Sequence, residues 1–295
     1  MALAAIKQLR PKQWTKNALL FAALIFSGQV LVADSVFRAF AGFTAFCLLS
    51  SAGYVLNDWL DRDADRKHPK KRHRPIASGA LPGPVALAEM TLATLVGVAI
   101  ALWLGLPFLL VALVYLATTL AYSFWFKHKV ILDVMFLSSG FVWRAIAGAV
   151  AIEVRVSPWL FLCTAFLALF LGFNKRRAEL LQIGAEGGTR RNLADYSPKM
   201  LEQYQSIVTA GTVLCYALYT VLGETEWMVL TIPFVLYGIF RYIYLVDRHG
   251  EGGAPDETLL SDRPLLYTVL AYGAVALGVI VAHEYDLLPL MIPAR

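Results

Sequence analysis

The feature of this sequence that most restricts its fold is a succession of long apolar runs. A helix that crosses the hydrocarbon core of a membrane needs about 20 mostly apolar residues. The 295 residues contain nine such runs, and we predict that each forms a transmembrane helix. The runs cover residues 14–32, 36–56, 84–104, 107–126, 130–151, 158–173, 205–223, 227–246 and 265–282. The predicted fold class is therefore all-α, a polytopic membrane protein with nine transmembrane helices.

The basic residues are divided unevenly between the two ends of these runs. With a cytoplasmic N-terminus, 22 of the 26 Lys and Arg residues fall on the inner side, and Arg38, Arg155 and Arg295 fall on the outer side. This asymmetry predicts a multi-pass plasma-membrane protein with its N-terminus in the cytoplasm and its C-terminus outside. The net charge of +5 then orients the helices and does not indicate a nucleic-acid partner.

The connections between the runs also differ in length between the two sides. The connections after the second, sixth and eighth runs are long, polar and on the inner side, so we expect the chemistry on the cytoplasmic face. Cys47, Cys163 and Cys215 lie within apolar runs, which indicates neither a disulfide framework nor a cysteine metal site. In the fifth run, Gly140 and Gly148 are consistent with close helix packing.

An acidic segment, NDWLDRDAD at residues 57–65, directly follows the second run. On a helix, Asn57, Asp61 and Asp65 would recur every four residues with Asp58 beside them, so their oxygens would share one face. Like charges at this spacing repel and need a cation, and carboxylate and amide oxygens are hard ligands suited to Mg²⁺. The alternative is a solvated helix end balanced by neighbouring basic residues.

The acidic segment, followed by KRHRPIASG at residues 71–79, resembles the first aspartate-rich motif of the UbiA superfamily of intramembrane prenyltransferases. The resemblance implies one UbiA-like domain over residues 1–295, with nine helices around a central cavity open to the cytoplasm. It implies cytoplasmic cap loops at about 57–83, 174–204 and 247–264, and Mg²⁺ that holds a diphosphate. The implied metal ligands are Asn57, Asp58, Asp61 and Asp65, of which the three aspartates are also implied to be catalytic.

The segment after the sixth run departs from the family pattern. Members that use a prenyl diphosphate carry a second acidic motif there, whereas this chain reads NKRRAE at residues 174–179. Lys175 and Arg176 would weaken a second metal site but would bind a phosphate directly. This favours a substrate with a diphosphate for Mg²⁺ and a further phosphate, as in phosphoribosyl diphosphate. Glu179 is expected to orient a basic residue or a hydroxyl.

The basic segment, together with RPKQWTKN at residues 10–17 and DRP at 262–264, resembles the superfamily branch that transfers phosphoribose to polyprenyl phosphates. The resemblance implies transfer from phosphoribosyl diphosphate to a decaprenyl-type phosphate in the bilayer. The products would be diphosphate and polyprenyl-phosphoryl-5-phosphoribose, a lipid-linked sugar precursor for cell-envelope polysaccharide. A homo-oligomer is left open.

Further candidate substrate-binding residues have structural alternatives. Lys16 and Asn17 lie at the inner mouth of the first run, where Lys16 could instead anchor at the membrane interface. Arg74 either binds phosphate or pairs with the acidic motif. Tyr122 and Lys127 either line the sugar-phosphate site or anchor the fourth run.

Arg144 is also a candidate for substrate binding, because it lies about 21 Å along the fifth run, where a charge is costly. The alternative is a structural pair with a buried polar group. Asp133, in the same run but about 16 Å away along the helix axis, is a poor candidate for that partner.

Two other functions are compatible with parts of the sequence. A UbiA-type enzyme could transfer a prenyl group from a prenyl diphosphate to an aromatic or other acceptor, but the second acidic pair is lacking. A secondary transporter of an anionic solute would fit the number of runs, although transporters usually show corresponding halves and polar sites at the membrane midplane.

Overall fold

The structure, a computed structural model, describes residues 2–69, 71–155, 157–186, 191–223, 225–249, 253, 255–285 and 287. These residues form helices and connecting turns, and none of them is in a β-strand. The α-helices are α1 (Ala2–Gln8), α2 (Phe21–Phe26), α3 (Ala33–Leu60), α4 (Arg62–Lys67), α5 (Gly83–Leu104), α6 (Leu106–Phe124), α7 (Leu132–Ala151), α8 (Pro158–Glu186), α9 (Pro198–Leu222), α10 (Ile232–His249), α11 (Pro255–Ser261) and α12 (Arg263–Glu284). The predicted all-α class is confirmed.

Within the described chain, eight helical segments are long and apolar enough to cross a membrane. They are α3, α5, α6, α7, Pro158–Leu181 of α8, α9, Glu226–Arg248 and α12. Several carry large apolar side chains on exposed faces; in α5, Leu92, Leu95 and Leu102 are each more than half exposed. Such faces suit a lipid environment, in which apolar surface carries no penalty.

The first predicted run, 14–32, is not one long α-helix. It consists of a 3-10 helix over Pro11–Leu20, the short helix α2 and a second 3-10 helix over Gln29–Leu31. Gly28, with a φ of 70°, separates the last two, because this left-handed conformation interrupts a right-handed helix. The predictions of nine spans and of a central cavity therefore stay predictions.

The helices group into two compact units. The first comprises Met1–Leu24, Gln29–Phe124 and Trp143–Arg155. Its central element is α3, which packs closely on α5: a Cβ added at Gly97 of α5 would lie 2.9 Å from the Leu49 side chain. Phe46 of α3 and Phe108 of α6 are fully buried, with ring centroids 5.9 Å apart in an edge-on arrangement.

The 3-10 helix Pro11–Leu20 approaches the second half of α7 within the first unit. A Cβ added at Gly148 would lie 2.1 Å from the Leu20 carbonyl oxygen, so only glycine fits there. This agrees with the close packing expected of Gly148. The contact brings the N-terminal segment against the helix that carries Arg144.

The second unit comprises Ile25–Gly28, Trp125–Val142 and Val156–Arg295. Helices α8 and α9 pack along each other, and a Cβ at Gly211 of α9 would lie 2.6 Å from Phe166 of α8. Ser197 caps α9 by accepting a hydrogen bond from the Met200 amide, and Asp262 caps α12 in the same way. Helix α8 continues to Glu186, so the predicted cap at 174–204 begins inside a helix.

Candidate active site

The acidic segment keeps helical spacing across the boundary between α3 and α4. Asp61 lies between the two helices with φ −90° and ψ 7°. Its amide donates to the Asn57 carbonyl at 2.9 Å, and the Asp65 amide donates to the Asp61 carbonyl at 2.8 Å. Backbone bonding of the i to i+4 type therefore continues from Asn57 to Asp65 even though the helix is interrupted. That the oxygens of these side chains share one face stays a prediction.

The Asp58 carboxylate is 2% exposed and accepts hydrogen bonds from three side chains. Gln8 Nε2 donates to Oδ2 at 2.9 Å, and Arg10 Nη2 lies 2.6 Å from Oδ1 and 2.8 Å from Oδ2. Arg74 Nη1 donates to Oδ1 at 2.9 Å. A buried carboxylate is tolerated when cations and donors compensate it in this way.

Arg74 links the two ends of the acidic segment. Its Nη1 also donates to Asp65 Oδ2 at 2.6 Å, and Asp65 is 3% exposed. The loop that carries Arg74 is fastened to α4, because Arg66 Nε donates to the Ala77 carbonyl at 3.1 Å. Arg74 thus pairs with the acidic motif in the structure, which is one of the two alternatives that the sequence left open for it.

The donor types of this segment suit Mg²⁺, which prefers hard oxygen ligands. In this conformation, however, Asp58 is bound to both Arg10 and Arg74, and Asp65 is bound to Arg74. Among the described residues, no group of three or more His, Cys, Asp or Glu side chains is arranged to hold a metal ion. The oxygen ligands of these residues are of the type that Mg²⁺ binds. The ion can reach the carboxylates only if arginine side chains move away from them.

Asn17 and Arg144 lie together in the first unit. Arg144 is 5% exposed; its Nε donates to Asn17 Oδ1 at 2.6 Å and its Nη2 to the Tyr115 hydroxyl at 2.9 Å. The guanidinium carbon also lies 4.9 Å from the centroid of the Tyr115 ring. Arg144 thus has buried polar partners, as expected if its role is structural and not the binding of substrate.

In the second unit, Asp133 joins three parts of the chain. It is fully buried near the start of α7. Its Oδ2 accepts from Arg176 Nε at 2.6 Å and Asn192 Nδ2 at 3.0 Å, and its Oδ1 accepts from the Tyr196 hydroxyl at 2.7 Å. Burial, and then this hydrogen bond, raise the pKa of Tyr196, which stays protonated and donates.

Arg176 is 1% exposed, and its Nη1 also donates to Glu179 Oε2 at 2.6 Å. Glu179 therefore lies against a basic residue, as an orienting role requires. Lys175, its neighbour in α8, is half-buried. The predicted binding of phosphate by Lys175 and Arg176 stays a prediction.

The other predicted substrate-binding residues lie near helix ends. Lys16 contacts Gln13 Oε1 within the 3-10 helix Pro11–Leu20. Tyr122 is half-buried near the end of α6, and none of the described hydrogen bonds joins it to the acidic segment. Lys127 lies in a 3-10 helix, Phe126–His128. Their roles in binding stay predictions.

Sequence reasoning missed Gln8, Arg10 and Tyr115 as partners of predicted site residues, and it named Asp133 only as a poor partner for Arg144. A signal existed for Asp133, because an acid inside an apolar run needs a buried donor or cation. No local pattern pairs Arg10 with Asp58, since 48 residues separate them.

A model of the UbiA prenyltransferase family matches residues 18–256. The chain belongs to this family. It is 38% identical over 288 residues to the decaprenyl-phosphate phosphoribosyltransferase of Corynebacterium glutamicum, which covers 92% of this chain and 85% of the relative. It is 37% identical over 286 residues to the protein of the same name from Mycolicibacterium smegmatis, with 90% and 89% covered.

The fold is similar to that of a UbiA homologue from Archaeoglobus fulgidus, solved with GPP and Mg²⁺. The TM-score is 0.74 at 19% identity, with 94% of this chain and 99% of that chain covered. The resemblance inferred from the acidic and basic segments is thus confirmed, and the chain is a multi-pass membrane protein of a transferase family. Family membership disfavours the transporter alternative.

Proposed function

We propose that this protein transfers 5-phosphoribose from phosphoribosyl diphosphate to a polyprenyl phosphate of decaprenyl type. The observation that carries the proposal is the identity of 36–38%, over most of the chain, to proteins named decaprenyl-phosphate phosphoribosyltransferase. The basic segment at Lys175 and Arg176, where prenyl-diphosphate enzymes carry acids, supports the same substrate. The N-terminus and the active site face the cytoplasm in this proposal, in keeping with the distribution of basic residues.

The acidic segment would hold a Mg²⁺ ion that serves the donor diphosphate. Asn57, Asp58, Asp61 and Asp65 are the proposed ligands, and the neighbour from Archaeoglobus fulgidus was solved with this ion. When bound, the ion neutralises charge on the diphosphate and makes it a better leaving group. Lys16, Asn17, Arg74, Tyr122, Lys127 and Arg144 are proposed to contact the substrates.

In the reaction, an oxygen of the lipid phosphate attacks C1 of the ribose. A bond forms between that oxygen and C1, and the bond from C1 to the diphosphate oxygen breaks with its electron pair on the diphosphate. The lipid phosphate is already ionised at neutral pH, so the step needs no general base. Lys175 and Arg176 bind phosphate, and Glu179 fixes the Arg176 guanidinium.

Purified protein, assayed with two substrate pairs, tests this function. We expect radiolabel from phosphoribosyl diphosphate to enter the lipid fraction only when polyprenyl phosphate is present. The second pair is a prenyl diphosphate with aromatic acceptors. Transfer with the second pair and none with the first would contradict the proposal and favour the prenyltransferase alternative.

Replacing Lys175 with alanine tests the basic segment. A charge-assisted hydrogen bond contributes about 1.5–3 kcal/mol, so we expect kcat/KM for one substrate to fall roughly ten- to hundredfold. Initial rates with each substrate varied in turn show whether the donor or the lipid is affected. Lys199→Ala removes an exposed cation from α9 and is the matched control. Unchanged kinetics of Lys175→Ala with both substrates would remove Lys175 from the site.

A further inference from the structure

The Asp58 carboxylate has no acceptor capacity left in this structure. Each of its oxygens accepts two hydrogen bonds: Oδ1 from Arg10 and Arg74, and Oδ2 from Arg10 and Gln8. An ionised carboxylate offers about four lone-pair sites. A metal ion therefore binds Asp58 only if at least one of these donors leaves.

The charges lead to the same exchange. Arg10 and Arg74 carry two positive charges, and both lie against carboxylates of the proposed metal site: Arg10 contacts Asp58, and Arg74 contacts Asp58 and Asp65. A divalent cation placed beside the same carboxylates would meet two guanidinium groups at short range. Like charges at such distances repel strongly in a partly buried site.

Arg10 is better placed to leave than Arg74. Arg74 bridges Asp58 and Asp65 from a loop of the same segment, whereas the hydrogen bonds described for the Arg10 side chain go to Asp58 alone. The Arg10 side chain is 25% exposed, so water is within its reach. Its guanidinium carbon also lies 5.1 Å from the centroid of the Tyr54 ring, which offers a second contact for a cation.

Gln8 adds a free-energy cost to the arrangement around Asp58. Its side chain is fully buried against Asp58, and its Oε1 has no hydrogen-bond partner among the described residues. A buried acceptor without a donor is costly. The backbone of Arg10 adds to the cost, since a φ of 54° is left-handed for a residue that is not glycine.

We propose that Arg10 is the exchangeable counter-cation of Asp58: it leaves the carboxylate when a divalent ion binds, and it thereby sets the affinity of the site for the ion. This rests on the metal site of the proposed function. Arg10 is a positioning residue: bound to Asp58, it holds α1 and the following segment against α3.

Metal titration without substrate tests the exchange. The full-length protein in detergent is titrated with Mn²⁺, and free Mn²⁺ is followed by electron paramagnetic resonance. We expect Arg10→Gln to bind Mn²⁺ about tenfold more tightly than the wild type, a typical coupling between competing ligands. Arg10→Lys, which keeps the charge, should stay near the wild type. Lys12→Gln removes an exposed cation two residues away and should leave the affinity unchanged.

Two other results of the Mn²⁺ titration would contradict the proposal, and they can be told apart. Equal or weaker Mn²⁺ binding by Arg10→Gln, with Asp61→Asn still weakening it, would overturn the exchange and leave the metal site intact. If Asp61→Asn binds Mn²⁺ as tightly as the wild type does, the metal site itself is contradicted, and with it the exchange.

A second measurement needs no variant. Mn²⁺ should raise hydrogen exchange of the α1 amides in the wild type, because the segment loses its contact with Asp58. Unchanged exchange at saturating Mn²⁺ would contradict the proposal.

Discussion

Replacing Asp133 with alanine is expected to lower the free energy of unfolding by about 3–5 kcal/mol, the usual cost of breaking a buried ion pair. The change removes the acceptor for Arg176, Asn192 and Tyr196 and leaves the Arg176 charge buried without its Asp133 contact. Thermal unfolding followed by circular dichroism in detergent micelles measures the loss. Substrate affinity should weaken as well, because Arg176 adjoins Lys175.

Two further variants make this result interpretable. Asp195→Ala removes an exposed acid close to Tyr196 in sequence and should leave the unfolding temperature unchanged. Asp133→Leu combined with Arg176→Met replaces both charges with apolar groups and should recover much of the stability. If Asp133→Ala unfolds at the wild-type temperature, the network around Asp133 is not important for stability.

Replacing Asp61 with asparagine is expected to reduce transfer by about 10²–10³-fold, the typical effect of removing one preorganised electrostatic contact. The amide keeps the size of the side chain and one oxygen, but it removes the charge that a diphosphate-bound Mg²⁺ requires. Asp61 is preferable to Asp58 or Asp65 for this test, because it is only half-buried, whereas those two are 2% and 3% exposed and their loss would also perturb the fold. Single-turnover transfer of labelled phosphoribose measures the effect.

Asp63 provides the matched control. It lies in the same segment, but its side chain is 75% exposed and contacts Arg62 and Arg66 at the surface. Asp63→Asn should therefore transfer at the wild-type rate. Full activity of a purified, folded Asp61→Asn protein would rule out the metal assignment.

The helical backbone of the acidic segment was predictable because it depends on local geometry. Asn57, Asp61 and Asp65 are four residues apart, and backbone hydrogen bonds keep that spacing across the break between α3 and α4. The all-α class was predictable for the same reason, since a long apolar run in a membrane has few alternatives to a helix. Both conclusions use only neighbours in sequence.

The partners of the charged residues were not predictable, because they come from distant parts of the chain. Arg10 reaches Asp58 across 48 residues, and Tyr196 reaches Asp133 across 63. A single sequence shows that a buried charge needs a partner, but it does not identify which of many arginines or tyrosines is near. For Arg144, the sequence left a buried polar partner as the alternative to substrate binding and made Asp133 a poor candidate, but it did not identify Asn17 and Tyr115.

Hydropathy also overstated the regularity of the first run. Residues 14–32 are apolar enough for a span, yet they form three short helical pieces. An apolar average measures the preference for lipid, whereas one residue such as Gly28 in a left-handed conformation is sufficient to end a helix. An apolar run therefore predicts that a segment prefers lipid more reliably than it predicts one continuous helix of the same length.

The close approach at Gly148 leaves no room for a side chain at that position, whatever the polarity of the side chain. A methyl group there would collide with the Leu20 carbonyl and push the N-terminal segment away from α7. Asn17 lies three residues before Leu20, so the same displacement would lengthen its 2.6 Å hydrogen bond with Arg144. Alanine, the mildest of substitutions in most membrane helices, would here separate a charge from its solvating partner, and a scan that ranks variants by hydropathy would classify it as neutral.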